Sequence, residues 1–415
     1  MRKLRKNIFI IIATIYVAYL IVPIIMNFSG LSISMVSIVT FSVLLLLYPK
    51  AFVNKITAFG LIYLAVLFFY YAVGKELPGF GAGENTPLMR IIMATAFIIP
   101  NLAIYDILYY LNSDKLYGYF CFMPIAFMIV SFVTFTPLII GNNDVLRQVT
   151  YSGGEFSTNP YLPHYSLLHA YVLIMPALIL AVKLIKKKTR YLFLLAAIYM
   201  SYVIVQSSIA TTLVLAVVSI AFMLIYNEND TGKSMLRAVM FVGLFFVLIM
   251  VGIVDSIMNS IVDYYEGTAS EGKMYMFRDM LLGNELQSGN SLDNRSNLHA
   301  ISINAFYANP FFGSAPLGGH SCLLDRLGGL GLFGFIPYVV FLFSVFQETL
   351  RLFRSKSSKV AFYVVSFSVL LMLYEKGLFG QESWLLLLVL APSILRYVEN
   401  KTQDNAISKN ISCIE

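Results

Sequence analysis

Residues 293–337 read DNRSNLHAISINAFYANPFFGSAPLGGHSCLLDRLGGLGLFGFIP. A polar, amphipathic segment closes on Asn309-Pro310-Phe311-Phe312-Gly313. Gly318-Gly319-His320-Ser321 follows, and a glycine-rich run from Gly328 to Gly334 opens directly into an apolar stretch. Arg, His and flexible backbone gather where water-facing chain meets an apolar span. Polar groups held at such a boundary are expensive and usually functional.

Outward from this stretch the chain is dominated by apolar runs. Hydrophobic residues make up 59% of its 415 positions and charged residues 12%, with a mean hydropathy of +0.77. Soluble domains run at roughly 45–50% apolar and 25% charged. Apolar segments at 8–27, 31–48, 56–74, 90–111, 118–140, 166–185, 190–207, 209–226, 237–259, 328–350, 360–380 and 383–398 are each long enough to cross a hydrocarbon core of ~30 Å, with allowance at their ends. The expectation is an all-α, polytopic membrane protein with about 12 transmembrane helices, forming a single membrane domain over 1–415.

The cations orient the spans. Arg2, Lys3, Arg5 and Lys6 precede the first, and Lys50 and Lys55 follow the second. Lys186, Lys187, Lys188 and Arg190 follow the sixth. Lys233 and Arg237 follow the eighth, and Arg351, Arg354, Lys356 and Lys359 the tenth. With an even count, all fall on one side, which the positive-inside rule makes cytoplasmic together with both termini. The other side carries scattered cations, among them Lys75, Arg90, Arg147, Lys273, Arg278, Arg295 and Arg326. The net charge of +7 is thus explained by topology, with no nucleic acid partner implied. The N-terminal span lacks a small-residue cleavage site and reads as a retained signal anchor.

Several chemistries lack their signatures. Cys121 and Cys413 fall at the inner side and Cys322 at the outer, so the three cysteines give no evident disulfide pair. No phosphate loop, dinucleotide fingerprint or His-Glu-x-x-His is present. His164 and His169 are five apart, poor spacing for a helical metal pair. No metal and no cofactor is expected.

Two outer loops are long. One, 141–165, holds Asp144, Arg147 and Glu155. The other, 261–327, is the candidate extracytoplasmic subdomain. Two helices are expected in it. One covers about 270–286 with Met274, Phe277, Met280 and Leu281 on one face. The other starts near Asp293 or Asn294 as N-cap and ends before Pro310, with Leu298, Ile301, Ala305 and Phe306 at helical spacing. Beside a bilayer, such helices lie in the interface plane. The loop's cations suit a phosphate-bearing substrate, because an Arg guanidinium is planar, forked and permanently charged. Arg295 and His299 share a helix face, and His320 follows two glycines where backbone approaches a ligand closely. Each also has an ordinary reading: a loop Arg solvated or touching headgroups, a lone His serving as a cap.

Arg295, the proline of NPFFG, His320 and GGLGLFGF opening a span resemble the bacterial O-antigen polymerase/ligase superfamily. STNPYLPHYSLLHAYVLIMPALIL (157–180), YVIVQSSIATTLVLAVV (202–218) and YEKGLFGQESW (374–384) extend the similarity from about Arg147 to the end. The chain departs from the family pattern at Ser207-Ser208-Ile209, where Ser-Arg-Gly is common, and at Ser321, where Asn often follows the histidine. The resemblance implies a metal-independent glycosyltransferase using an undecaprenyl-diphosphate-linked oligosaccharide at the outer face of the plasma (inner) membrane. A polymerase, for O-antigen, capsule or exopolysaccharide, is expected over a ligase that moves the glycan to lipid A core. A lipid-linked oligosaccharide flippase is the alternative of another class. Membrane lipids, chain-length regulators and flippases of the same pathway are the implied partners. His320 and Arg295 would be catalytic, Arg147, Arg278 and Arg326 candidates for the diphosphate, and Asp144, Asp293 and Asp325 alternative bases to His320.

Overall fold

In a computed structural model the described residues are 2–75, 87–140, 145–148, 159–163, 165–186, 188–207, 209–228, 252–267, 271–282, 291–375 and 380–412, with single positions 230, 233, 237 and 240. All regular structure among them is helical, without strands. Asp144, Glu155, His164, Lys187, Ser208 and Cys413 lie outside them. So do the side chains of Arg147, Lys273, Phe277, Met280, Leu281 and Asp293, and most of the expected span 237–259.

The helices are α1 (Arg2–Ile21), α2 (Pro23–Phe28), α3 (Ile33–Leu47), α4 (Lys55–Ala72), α5 (Pro87–Leu111), α6 (Asp114–Ile139) and α7 (Val145–Gln148). Next come α8 (Tyr165–Ala170), α9 (Met175–Leu184), α10 (Thr189–Ser207), α11 (Ala210–Ile225), α12 (Ile253–Tyr264), α13 (Glu271–Leu282) and α14 (Ser291–Ala308). The chain ends with α15 (Cys322–Arg351), α16 (Lys356–Glu375), α17 (Gln381–Leu385) and α18 (Ala391–Ser412). Seven of the described helices are long and apolar enough to cross a membrane, and three shorter apolar ones accompany them. The first expected span is two pieces: α1 stops at Ile21 and Pro23 starts α2, because proline suits a first helical turn and cannot continue one.

Fully buried side chains, Leu173, Met175, Ala177 and Leu178, run from the segment joining α8 to α9 into the first turn of α9. Outward faces stay apolar: Val133, Leu195, Ile198, Phe343 and Phe367 are all exposed. A bundle that is apolar both inside and outside fits a lipid surrounding, with the backbone satisfied within helices. This is a membrane protein.

Side chains at the helix ends sort those ends into two groups. At one end Glu228 accepts from Ser357 N at 3.2 Å and Ser357 Oγ at 2.5 Å, while Glu399 accepts from Arg354 N at 2.9 Å and Ser355 N at 2.8 Å. Both carboxylates therefore sit on the amide-rich start of α16, where negative charge is favourable. Arg396 donates to Leu352 O at 3.1 Å and pairs with Glu399 at 3.4 Å and Asp114 at 3.5 Å. Lys183 donates to Met223 O at 3.2 Å, Leu224 O at 3.1 Å and Tyr226 O, capping the carbonyl end of α11. These contacts gather the basic connections that follow α9, α11 and α15. At the other end Asn27 donates to Pro160 O at 3.0 Å, and Arg295 of α14 pairs with Glu375 at the close of α16 at 3.5 Å.

Candidate functional site

The stretch 293–337 folds on itself. Helix α14 begins at Ser291 and takes Asp293 and Asn294 into its first turn, three or four residues earlier than an N-cap at Asp293 or Asn294 would place it. Its inward face also differs from the expected one. Ala305 is buried as expected, but Ile301 is exposed and Ser302 is buried instead. The reason lies in what α14 packs against: a glycine-lined backbone leaves room for small side chains only.

That backbone is α15, expected as a plain span from Gly328. It starts earlier, at Cys322, and breaks at Gly331, whose φ of 57° and ψ of −167° are open only to glycine. A straight helix would set Cys322 and Tyr338 ~24 Å apart and Arg326 and Tyr338 ~18 Å apart. Instead Cys322 Sγ lies 3.9 Å from Tyr338 Oη, and the Arg326 guanidinium stacks 4.5 Å from the Tyr338 ring centre. Residues 322–330 therefore form a short arm folded back along the long arm 332–351.

A helix break orphans carbonyls on one side and amides on the other. Here the Asn-Pro-Phe-Phe-Gly turn supplies the partners. Pro310 O accepts from Leu332 N at 2.9 Å, Phe311 O accepts from Phe333 N at 3.0 Å, and Ser314 N donates to Gly328 O at 2.8 Å. From a distant part of the chain, Tyr70 Oη donates to Leu330 O at 2.5 Å. The turn is shaped by Asn309, whose side chain accepts from Phe312 N at 3.1 Å and whose carbonyl accepts from Gly313 N at 2.7 Å. A Cβ at Gly313 would meet Gly329 backbone at 2.4 Å, and one at Gly331 would meet Phe311 and Gly313 backbone at 2.5 Å. The two glycine motifs are thus halves of one joint. Lys75, just past α4, donates to Gly313 O at 2.7 Å and to Phe312 O, and partial burial lowers its pKa from the ordinary lysine value.

Below the joint, Gly318 packs so closely on α14 that a Cβ would fall 2.0 Å from Leu298 O. Ser302 Oγ accepts from Gly318 N at 2.9 Å and donates to Asp325 Oδ1 at 2.6 Å, which also accepts from Gly319 N at 3.2 Å. Ser321 caps the short arm, its hydroxyl accepting from Leu324 N at 3.2 Å.

The candidate residues separate accordingly. His320 is half-buried in the loop between Gly319 and the cap. Arg295 on α14 is partly exposed and held by Glu375, and the His299 ring packs at a tilt against Tyr374 with ring centres 5.2 Å apart. Asp325 and Arg326 are neighbours in sequence and both buried. Arg326 donates to Tyr63 Oη at 3.0 Å and Cys322 O at 2.9 Å and contacts Cys322 Sγ, so its described contacts are inside the bundle. Arg278 binds Asn259 at 3.0 Å and Asp279 at 2.8 Å and stacks on Tyr275; its described contacts stay within α12 and α13, apart from Arg295. Helix α13 spans 271–282, shorter than expected, and buries Met274 against Val262 and Tyr265. Arg147 has its backbone in α7, Asp293 has its own in α14, and Asp144 falls outside the described residues.

Tyr63, Tyr70, Ser302 and Glu375 are the partners that motif spacing does not reveal. Only Ser302 leaves a trace, a small polar residue one turn beyond Leu298 on the face meant for packing. Among the described residues no group of three or more His, Cys, Asp or Glu side chains gathers that could hold a metal ion. No protein-family model matches the chain, and no curated protein matches it in sequence.

Proposed function

We propose that the chain is a polysaccharide polymerase. It transfers a growing glycan from undecaprenyl diphosphate onto a lipid-linked repeat unit at the outer face of the plasma membrane. The observation that carries this reading is the joint just described. One compact unit at the non-basic end of the bundle combines a folded-back short helix opening at His320, a glycine-strapped turn and the helix bearing Arg295.

In the reaction the acceptor hydroxyl loses its proton, its oxygen bonds to the anomeric carbon, and the bond from that carbon to the diphosphate oxygen breaks. Negative charge then grows on the departing lipid diphosphate. Arg295 keeps a permanent charge next to Glu375, whose single 3.5 Å contact engages Nη1, and a guanidinium has five N–H donors in a planar fork. His320 either takes the hydroxyl proton or holds the diphosphate, and both roles need it fixed near Arg295. Such preset charge is worth most where water is excluded.

About twelve spans, with both termini cytoplasmic and 261–327 outside, complete the reading. In support, the ten apolar helices are joined by the buried segment 381–398 and by the apolar run 237–259. The basic connections that follow α9, α11 and α15 also lie together. The test is purified protein in lipid vesicles with a lipid-diphosphate-linked repeat unit, no nucleotide and chelator present. A ladder of lengthened glycans is expected. Transbilayer movement of the substrate without lengthening would overturn the proposal in favour of a flippase.

A further inference from the structure

We infer that Ser302 and Asp325 are positioning residues that clamp the His320 loop to the helix carrying Arg295; the catalytic consequence rests on the polymerase reading above. A buried carboxylate is costly unless its oxygens are bonded. Asp325 is only 3% exposed and Ser302 1%, yet neither bonds to a cation in the contacts described above. Asp325 Oδ2 has no hydrogen-bond partner among the described residues, so the site is held by the bonds that Asp325 Oδ1 and Ser302 Oγ make to backbone and to each other. Ser302 Oγ takes the Gly318 amide at 2.9 Å, and Asp325 Oδ1 takes the Gly319 amide at 3.2 Å and the Ser302 hydroxyl at 2.6 Å. These are the two amides immediately before His320.

The clamp joins three segments. Ser302 stands on α14 two turns after Arg295, Asp325 stands on the short arm of α15, and the loop lies between them. Gly319 has a φ of +71°, a geometry that turns the chain at once into His320. Fixing both amides against α14 therefore fixes where the His320 backbone stands relative to Arg295. Asp325 is closed off from solvent, so it acts through this backbone and not on the substrate hydroxyl, which separates it from a general base.

The test pairs a catalysis-independent readout with a catalytic one, both on the full chain in lipid nanodiscs. Hydrogen exchange is followed for peptides spanning 314–321. Ser302→Ala should speed exchange of the Gly318 amide by about fivefold, for a lost bond to a neutral hydroxyl, and Asp325→Ala that of the Gly319 amide by about tenfold or more, for a lost bond to a charged acceptor. Asp325→Asn keeps a carbonyl acceptor and should restore most of the protection. In elongation assays kcat should fall about 100-fold in Asp325→Ala, as expected for a group misplaced by ~1 Å. KM for the lipid-linked donor should stay within about twofold, and Asp325→Asn should recover most of the rate. A general base would give the opposite result for Asn. Unchanged exchange in Asp325→Ala overturns the clamp whatever the activity, and faster exchange with normal kcat overturns its role in positioning. If Asp325→Ala does not fold, Ser302→Ala carries both readouts. If the wild-type protein elongates nothing, the polymerase reading fails and the clamp is judged by exchange alone.

Discussion

Replacing Gly331 by Ala should destabilise the protein far more than the same change at another positive-φ glycine. At Gly331 the added Cβ would sit 2.5 Å from Gly313 N and from Phe311 C and O. These are backbone atoms, so no side chain can swing aside. Holding a non-glycine residue at φ 57° and ψ −167° costs about 1–3 kcal/mol. Relieving the overlap means pulling the turn away from α15, which loses the Leu332–Pro310 and Phe333–Phe311 hydrogen bonds, ~0.5–1.5 kcal/mol each. The sum is about 2–6 kcal/mol. Gly267 is the control: its φ is +72° with no atom within 4 Å of an added Cβ, so only the left-handed strain of ~1–2 kcal/mol applies. Trp384 is the single tryptophan and is buried 5.8 Å from the Phe341 ring, so its fluorescence reports unfolding without labels. Denaturant titration in mixed micelles should place the midpoint of Gly331→Ala well below that of Gly267→Ala. Equal midpoints would show that the turn and the break do not hold one another.

Three further outcomes follow from the same geometry. Cysteine placed at Ser296, in a background lacking Cys121, Cys322 and Cys413, should react with a membrane-impermeant reagent added outside cells, and cysteine at Lys188 should not; both positions are exposed, and the reverse pattern sinks the topology. Arg295→Lys keeps the charge but loses the fork, so elongation should fall about 10²–10³-fold, while His320→Gln should either abolish transfer with donor binding intact or weaken donor binding, and full activity in either variant removes that residue from the site. Tyr63→Phe deletes the hydroxyl that accepts from Arg326 Nε at 3.0 Å inside the bundle and should cost about 1–3 kcal/mol in the Trp384 titration, a loss that would vanish if Arg326 turned outward to a ligand.

Helices show in this sequence wherever the only requirement is apolar length. The residues bounding α4, α10 and α11 lie within a few positions of the apolar runs, because nothing but lipid and other helices has to be satisfied along them. The reading weakens where a helix is interrupted. Residues 322–336, CLLDRLGGLGLFGFI, keep an apolar helical character straight through Gly331, so hydropathy sees one span beginning at Gly328. What bends it is the supply of partners for the freed backbone groups, and that supply comes from Pro310, Phe311 and Ser314 in the preceding turn and from Tyr70 at the far side of the chain. A local pattern carries no information about a donor 260 residues away.

The site shows the same division. Asn-Pro-Phe-Phe-Gly, Gly-Gly-His and Gly-Gly-Leu-Gly are visible as three separate motifs, and the chemistry of Arg295 and His320 can be guessed from residue type. Their relation cannot, because it is set by close backbone approach: Gly318 on Leu298, Gly328 on Ser302 and Gly313 on Gly329 each leave less space than a methyl group needs. The charged neighbours Asp325 and Arg326 show the limit most clearly. A sequence presents them as one polar pair at a membrane boundary, whereas a short helix points successive residues about 100° apart. The structure uses that angle to send the carboxylate to the glycine loop and the guanidinium to Tyr63 and Tyr338. The motif's order along the chain is therefore a record of which segments must touch. The glycines mark the contacts and the intervening lengths are those that let the short arm fold back.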